Sequence, residues 1–462
     1  MKKRSLLTAC ALAGLAALPL CAQEAAPAAT SPARKLPPST MVMALTGDSI
    51  ITRQISPYRE PEFLKLIDLL RNADLAFTNL EMLFHNFEGY PSVVSGGTYM
   101  RAEPELAKEL SWAGFRLAGN ANNHTGDYSV EALFSTQRAL TEAGIVYAGT
   151  GENLQQAREA HYVETAQGRV ALVACSSTFT PHSVAGRQRS DMKGRPGLSP
   201  LRYETKYTVD QTTLDQLRAL AGKLGGGRGG RGGPTNEVTF QGSHFVLGDK
   251  FGMVRTPLKE DVDEIVASVK DAKSMARYVM VYAHTHEGGA GKDPADFAIA
   301  FAHTVIDAGA TMYVASGPHY MRGIEIYKGK PIFYSLGDFI MENDTVLREP
   351  QDNYDLQGLG PDARVGDFNA KRTANDTRSW PATREMWESV VVQPKFENDK
   401  LVEIKLTPVT LGFGWPAGTR GRPVLASPDD ANKILDDLIK MSEPLGTKIE
   451  NRNGVGFVLL SP

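Results

Sequence analysis

Cysteine is scarce: the chain of 462 residues has three, and Cys10 and Cys21 belong to an apolar leader, leaving Cys175 alone in the body. One thiol excludes an internal disulfide framework and a thiolate metal site, so the fold must be held by its core. Cys175 closes the apolar run 169–175 and reads as a buried structural thiol. An excess of one charge is also missing. Lys and Arg total 50 against 53 for Asp and Glu, a formal charge of −3, which excludes coating nucleic acid by bulk charge. Past the leader no apolar run reaches membrane-spanning length. No Gly-x-Ser-x-Gly elbow offers a serine nucleophile. Hydrophobic residues make up 42% and charged residues 22%, the composition of an ordinary globular protein.

The first residues differ in kind. Lys2-Lys3-Arg4, a short apolar centre and small residues at Cys21-Ala22 describe a secretory signal peptide over 1–22, which places the protein outside the cytoplasm, periplasmic or secreted. Leu18-Pro19-Leu20-Cys21 is also readable as a lipoprotein box anchored at Cys21, but Leu20 is bulky where a small residue is usual. Positions 23–40, rich in Ala, Pro and Ser, form a flexible linker. From 41 onward, short apolar strands alternate with helices: strands at 41–45, 75–79, 115–118, 145–148, 169–175, 278–284 and 311–315, with helices at 61–71, 103–113, 129–143 and 294–308 between them. Such alternation implies α/β layering. An insertion at about 179–256 contains the glycine–arginine tract 225–234, read as a surface loop because an exported protein does not meet RNA. The polar segment 343–384 is a long loop of the sort that covers sites. Strands at 388–394 and 401–407, a helix at 428–441 and a strand at 454–460 finish the fold.

Polar residues gather where strands end. Thr46-Gly47-Asp48 follows the first strand, Asn79-Leu80-Glu81 the second, and Asn122-Asn123-His124 with Asp127 the third. His284-Thr285-His286-Glu287 and Ser316-Gly317-Pro318-His319 follow later ones. In α/β sheets the carboxyl ends of strands share one edge, where ligands bind, so these distant residues are expected to converge. Asp, Glu, Asn and His form an O/N donor set suited to zinc, manganese or iron, and Asp127 is placed to orient His124. His85, His161, His182 and His244 read as ordinary surface residues, and His303 as a packed or solvated helix residue.

In this order the motifs resemble the CapA family of capsule synthesis, or poly-gamma-glutamate biosynthesis, proteins. The resemblance rests on Thr46-Gly47-Asp48, Asn79-Leu80-Glu81, Asn123-His124-x-x-Asp127, His284-Thr285-His286-Glu287, Gly317-Pro318-His319 and Ser335-Leu336-Gly337-Asp338. That family is similar to the calcineurin-like metallophosphatases, which implies a four-layer α/β/β/α sandwich with a C-terminal β-rich extension. It also implies roles: Asp48, Glu81, Asn123, His284, His286 and His319 as ligands of one or two divalent ions (Mn, Zn or Fe), and His124, oriented by Asp127, as the catalytic acid. Arg53, Arg101 and Arg322 lie near the motifs and are expected to bind an anionic substrate. Two departures stand out: Ala315-Ser316 replaces a family Gly-His, and Asp338 replaces a family Asn. The implied function is metal-dependent hydrolysis of an anionic polymer or small-molecule ester, working with capsule or poly-gamma-glutamate synthesis machinery. The other implied role is a non-catalytic, polymer-binding accessory of export. Nucleic acid is not an expected partner, nor is a membrane span in the mature chain.

Overall fold

The chain is represented by a computed structural model that describes residues 39–224 and 235–460. The expected signal peptide, nearly all of the expected linker and the glycine–arginine tract lie outside the described residues. The first strand, Thr40–Ile50, is longer than its apolar start suggests. Along it Met41, Met43 and Leu45 face one apolar cluster while Ala44 and Ile50 face another, the period-2 alternation of a strand buried on both sides. Thr46, Asp48 and Ser49 are fully buried at its far end.

This strand is the spine of a large mixed sheet. It runs parallel to Leu75–Leu80, which pairs with Phe115–Gly119 and then Val146–Ala148. On its other side it pairs antiparallel with Glu388–Glu397, and its last residues pair in parallel with Asp338–Met341. Lys400–Thr410 and a closing hairpin, Ile449–Arg452 with Val455–Val458, extend that side. A smaller sheet sets Val170–Ser176, Tyr278–His284, Met312–Ser316 and Lys330–Phe333 in parallel. Antiparallel edges, His161–Val163 and Ile324–Tyr327, flank it. The protein is therefore mixed α/β.

Three apolar clusters account for the packing. Met43, Leu45, Phe77 and Leu117 of the large sheet pack with Leu172, Met280, Tyr282 and Val314 of the smaller one. The opposite face of the large sheet packs under the helices Pro61–Arg71, Ala107–Ala113 and Ser129–Glu142 through Phe63, Leu66, Leu110 and Leu140. The far face of the smaller sheet packs under Lys259–Met275 and Asp296–Asp307, and Cys175 lies buried there. Burial pushes that thiol up to about 12, so it is inert.

The helix Lys259–Met275 was not expected from the sequence. Its buried residues Ile265, Val269 and Ala272 recur at helical spacing, but the polar insertion before it hides the pattern. The described part of the insertion has regular structure. Tyr203–Val209, Glu237–Phe240, Ser243–Leu247 and Gly252–Pro257 form a four-stranded sheet, and the helix Gln211–Lys223 packs Leu214 against Val209 and Val238.

The segment 343–384 is not a bare connection. It contains the helices Gln351–Leu356 and Val365–Thr373, the second opened by Asp367 Oδ2 accepting from the Arg364 N–H at 2.9 Å. Tyr354 and Phe368 pack their rings 5.6 Å apart. Glu349 ties the segment to the body: one carboxylate oxygen accepts from the Tyr99 N–H at 3.2 Å and from Asn353 Nδ2 at 2.5 Å, and the other has no partner. Burial pushes this carboxyl up to about 7. A folded value above the unfolded one means that stability is complete below the unfolded value and declines as pH rises through about 7. Glu349→Gln is therefore expected to match the wild type near pH 4 and exceed it by about 2 kcal/mol near pH 8, read from urea unfolding at both pH values.

Candidate metal centre

Strand register brings the polar ends together. Asp48 lies directly opposite Asp338 on one side and Asn79 on the other, and His284 is opposite Ser316. Gly47 makes the first approach possible, because a Cβ there would overlap Gly337 O. The Asp48 N–H instead donates to that oxygen at 3.0 Å. A second close approach occurs at Gly96, where a Cβ would stand 2.5 Å from Asn123 Nδ2. Gly96 O accepts from that amide nitrogen, which turns Asn123 Oδ1 to within 2.7 Å of His284 Nε2. His319 adopts φ 63°, a conformation rare outside glycine and characteristic of strained functional positions.

Asp48 is fully buried and held by donors. Asn79 Nδ2 reaches its Oδ1 at 2.6 Å, Ser316 Oγ donates to the same oxygen, and the Gly317 N–H donates to Oδ2 at 2.9 Å. The Tyr282 hydroxyl joins Ser316 Oγ at 2.5 Å and His284 Nδ1 at 3.2 Å. His284 Nε2 lies 3.0 Å from His286 Nε2. His319 Nδ1 pairs with Asp338 Oδ1 at 2.9 Å.

Glu81 sits among them, completely buried, with neither carboxylate oxygen hydrogen-bonded. Its Oε1 is 3.6 Å from His284 Nε2 and 3.7 Å from His124 Nε2, and its Oε2 is 3.9 Å from His319 Nδ1. Two groups of donors could hold a metal ion: Glu81 with His284 and His286, and Asp48 with Glu81, His319 and Asp338. Glu81 belongs to both. A buried anion without a donor is costly unless a cation compensates it, and Asp338 Oδ2 is likewise without a partner. The donor set and the orphaned oxygens fit a divalent cation.

The electrostatics agree. Burial, with Asp338 alongside, pushes the Asp48 carboxyl up to about 6. Burial and the Asp48 charge hold Glu81 well above the usual range. Burial and the neighbouring imidazoles keep His284 and His286 well below the usual histidine value, so they present the neutral form that ligates metal. Burial pulls His319 down, but Asp338 and Glu81 outweigh it and hold the imidazole at about 10. A cation bound there would displace that proton.

His124 stands beside the ligands. Asp127 Oδ2 accepts from its Nδ1 at 2.7 Å, leaving Nε2 toward Glu81. The same Asp127 accepts from the backbone N–H groups of Gly96 and Met100, so one buried carboxylate aligns both imidazole and loop. His124 and His319 also line a cavity of about 200 Å³ that is walled by Gly97, Thr98, Arg372 and Trp380.

Asp48, Glu81, Asn123, His124, His284, His286 and His319 are thus brought together, with Asp127 behind His124. The arginines are not available to a ligand. Arg53 pairs with Glu342 at 3.0 Å and donates to the carbonyls of Gly418 and Arg420. Arg101 donates to His85 O and Glu103. Arg322 donates to the carbonyls of Glu287 and His286, fixing the His286 loop from behind. Nearness in sequence to a motif misleads here, because a long guanidinium side chain reaches carbonyls in either direction. His85 corrects the expectation of a surface residue: it is fully buried, its ring 4.5 Å from that of Tyr128, and burial pushes it down to about 4. Asp338 and Tyr282 were missing from the expected ligands and their supports. The signals were the Asp338 departure itself, and the position of Tyr282 two residues before His284 on the same strand face.

An α/β protein with carboxylates and imidazoles converging on a buried centre that could hold metal defines a class. The family model described as bacterial capsule synthesis protein PGA_cap matches residues 42–343, and the chain belongs to that family. It is 37% identical over 438 residues to uncharacterized protein y4sH of Sinorhizobium fredii, covering 90% of this chain and 93% of that one. It is 23% identical over 299 residues to capsule biosynthesis protein CapA of Bacillus anthracis, covering 64% of this chain and 54% of that one. A probable polyglutamine synthesis accessory protein of Mycobacterium tuberculosis is 28% identical over 245 residues, covering 52% of this chain and 49% of that one. Among the described residues no helix is long and apolar enough to cross a membrane.

If Glu81 holds a cation, its loss should be felt wherever metal is measured. Glu81→Gln is expected to weaken manganese binding by at least about a hundredfold, since changes to residues merely supporting a ligand cost about 10–100-fold. The wild type should gain about 2.7 kcal/mol of stability with metal at a hundredfold excess over its dissociation constant, and the variant almost none. Calorimetry and thermal unfolding read both effects.

Proposed function

We propose that the protein is an exported, metal-dependent hydrolase acting on an anionic polymer or ester in capsule or poly-gamma-glutamate processing. The observation that carries this reading is Glu81, buried with two unpartnered oxygens and shared by both donor groups. The two sheets with helices on their outer faces are read as a four-layer α/β/β/α sandwich of the metallophosphatase type. Residues 1–22 are taken as a signal peptide and 23–40 as a tether. Residues 41–342 are taken as the functional domain, interrupted at about 179–256 and completed by 385–462.

Glu81, His284 and His286, with Asn123 Oδ1 beside them, would hold one divalent cation; Asp48, Glu81, His319 and Asp338 would hold a second. Bound there, such a cation supplies Lewis acidity and lowers the pKa of a coordinated water from 15.7 toward about 7. The chain's own groups supply the rest. Asp127 accepts from His124 Nδ1–H, and in the imidazolium that this carboxylate favours the Nε2–H would face the ligands and pass its proton to a departing oxygen or nitrogen, leaving the neutral ring. Asn79, Ser316 and the Gly317 N–H fix the orientation of Asp48. Ser316 fills the place of a family histidine with a donor rather than a ligand, which leaves Asp338 as the fourth member of its group.

The name of the mycobacterial relative supports a second reading, a non-catalytic accessory that holds polymer. Metal analysis of the purified protein, followed by turnover assays on phosphoesters and poly-gamma-glutamate, separates the two. His124→Ala should retain metal and lose about 10²–10⁴-fold in kcat. Polymer binding that survives chelation, with no turnover of any tested substrate, would overturn the enzyme in favour of the accessory.

A further inference from the structure

We propose that Arg372, carried by the segment 343–384, is the residue that receives the anionic group of the substrate at the mouth of the metal centre. The inference rests on reading that centre as a substrate site. Arg372 lies in the last turn of the helix Val365–Thr373 and lines the cavity of about 200 Å³ whose floor holds His124 and His319. Its Nη1 donates to Thr98 Oγ1 at 2.5 Å, and its guanidinium carbon sits 4.9 Å from the centre of the Trp380 ring. These two contacts fix the plane of the fork. Neither Nε nor Nη2 has a protein acceptor, and neither is sealed away from solvent. Glu349, the nearby acid, accepts instead from the Tyr99 N–H and Asn353.

The lining supports the assignment. It includes one arginine and two histidines but no carboxylate, and each histidine is already paired through Nδ1 with an acid, Asp127 or Asp338, which leaves the Arg372 guanidinium as the lining cation with uncommitted donors. Burial lowers the Arg372 pKa from its usual value, and a desolvated guanidinium makes its strongest hydrogen bonds to carboxylate or phosphate oxygens. Arg53, Arg101 and Arg322 do not line the cavity and direct their terminal nitrogens to protein acceptors, which leaves Arg372 as the arginine positioned for this role. The volume falls below the roughly 300–1,000 Å³ of sites for drug-sized ligands. The cavity therefore accepts a single anionic unit, and a polymer would present one unit at a time.

The test uses the full chain, loaded with manganese and separately after chelation. Binding of inorganic phosphate and of γ-glutamylglutamate is measured by calorimetry for the wild type, Arg372→Gln and Arg372→Lys. The glutamine variant should lose at least tenfold in affinity for whichever anion binds, the lysine variant should recover part of it, and metal content should be unchanged in both. Phosphate binding with no dipeptide binding assigns phosphoester chemistry to the site; the reverse assigns a γ-glutamyl chain. In the wild type, the bound anion should also protect Arg372 from an arginine-selective dicarbonyl, read by peptide mass spectrometry, which requires no variant to fold. Anion affinity within twofold in Arg372→Gln, labelling of Arg372 indifferent to the anion, or no binding of either anion would overturn the proposal. Arg372-dependent binding that persists in a protein without metal or turnover would sustain it while removing the hydrolase reading.

Discussion

The carboxylate of Glu81 is the constraint on which the rest of the centre depends. It is removed from water, receives no hydrogen bond, and lies within 4 Å of three imidazoles. A carboxylate in that position is an unfavourable thing to bury. Its surroundings are explicable as the means of making one location favourable for a cation. Burial, joined at Asp48 by crowding, raises the carboxyl groups of Asp48 and Asp338 above their usual values, and burial keeps His284 and His286 neutral.

Backbone geometry, rather than side-chain reach, sets this arrangement. The first strand places Asp48 opposite both Asn79 and Asp338, and it does so because Gly47 allows the turn at Gly337 to come into van der Waals range. Gly96 plays the corresponding part above Asn123. Asp127 then couples the Gly96 loop to His124 through three hydrogen bonds. The supporting residues are therefore as particular as the ligands: Asn79 and Ser316 donate to one oxygen of Asp48 and the Gly317 N–H to the other, while Tyr282 links Ser316 to His284.

Most of this centre was readable from sequence because it lies at strand ends, where polar residues interrupt apolar runs. Asp48, Glu81, His124 and His284 each announce themselves that way. Helices with a proline start or a glycine stop were equally plain, and Pro61–Arg71 has the expected bounds. What was hidden follows from physics that a linear pattern does not carry. Lys259–Met275 follows a polar insertion that breaks the α/β rhythm. His85 looks like a loop residue until Tyr128 closes over it. Arginine roles were the least legible, since whether a guanidinium faces a ligand or a backbone carbonyl is decided by elements far away in the chain. Arg372 sits in a segment whose polarity suggested a loop, and only packing through Phe368 and Trp380 gives it a direction.

The antiparallel seam between Thr40–Ile50 and Glu388–Glu397 has a consequence for how the molecule comes into being. The first of the described strands is flanked by one of the later ones, so that edge stays unpaired until residues 388–397 have been made. Contacts of such sequence separation are closed late and slowly. Asp48 likewise gains Ser316, Gly317 and Asp338 as neighbours only after segments far along the chain have been made. The large sheet is thus completed by joining segments from opposite ends of the described chain.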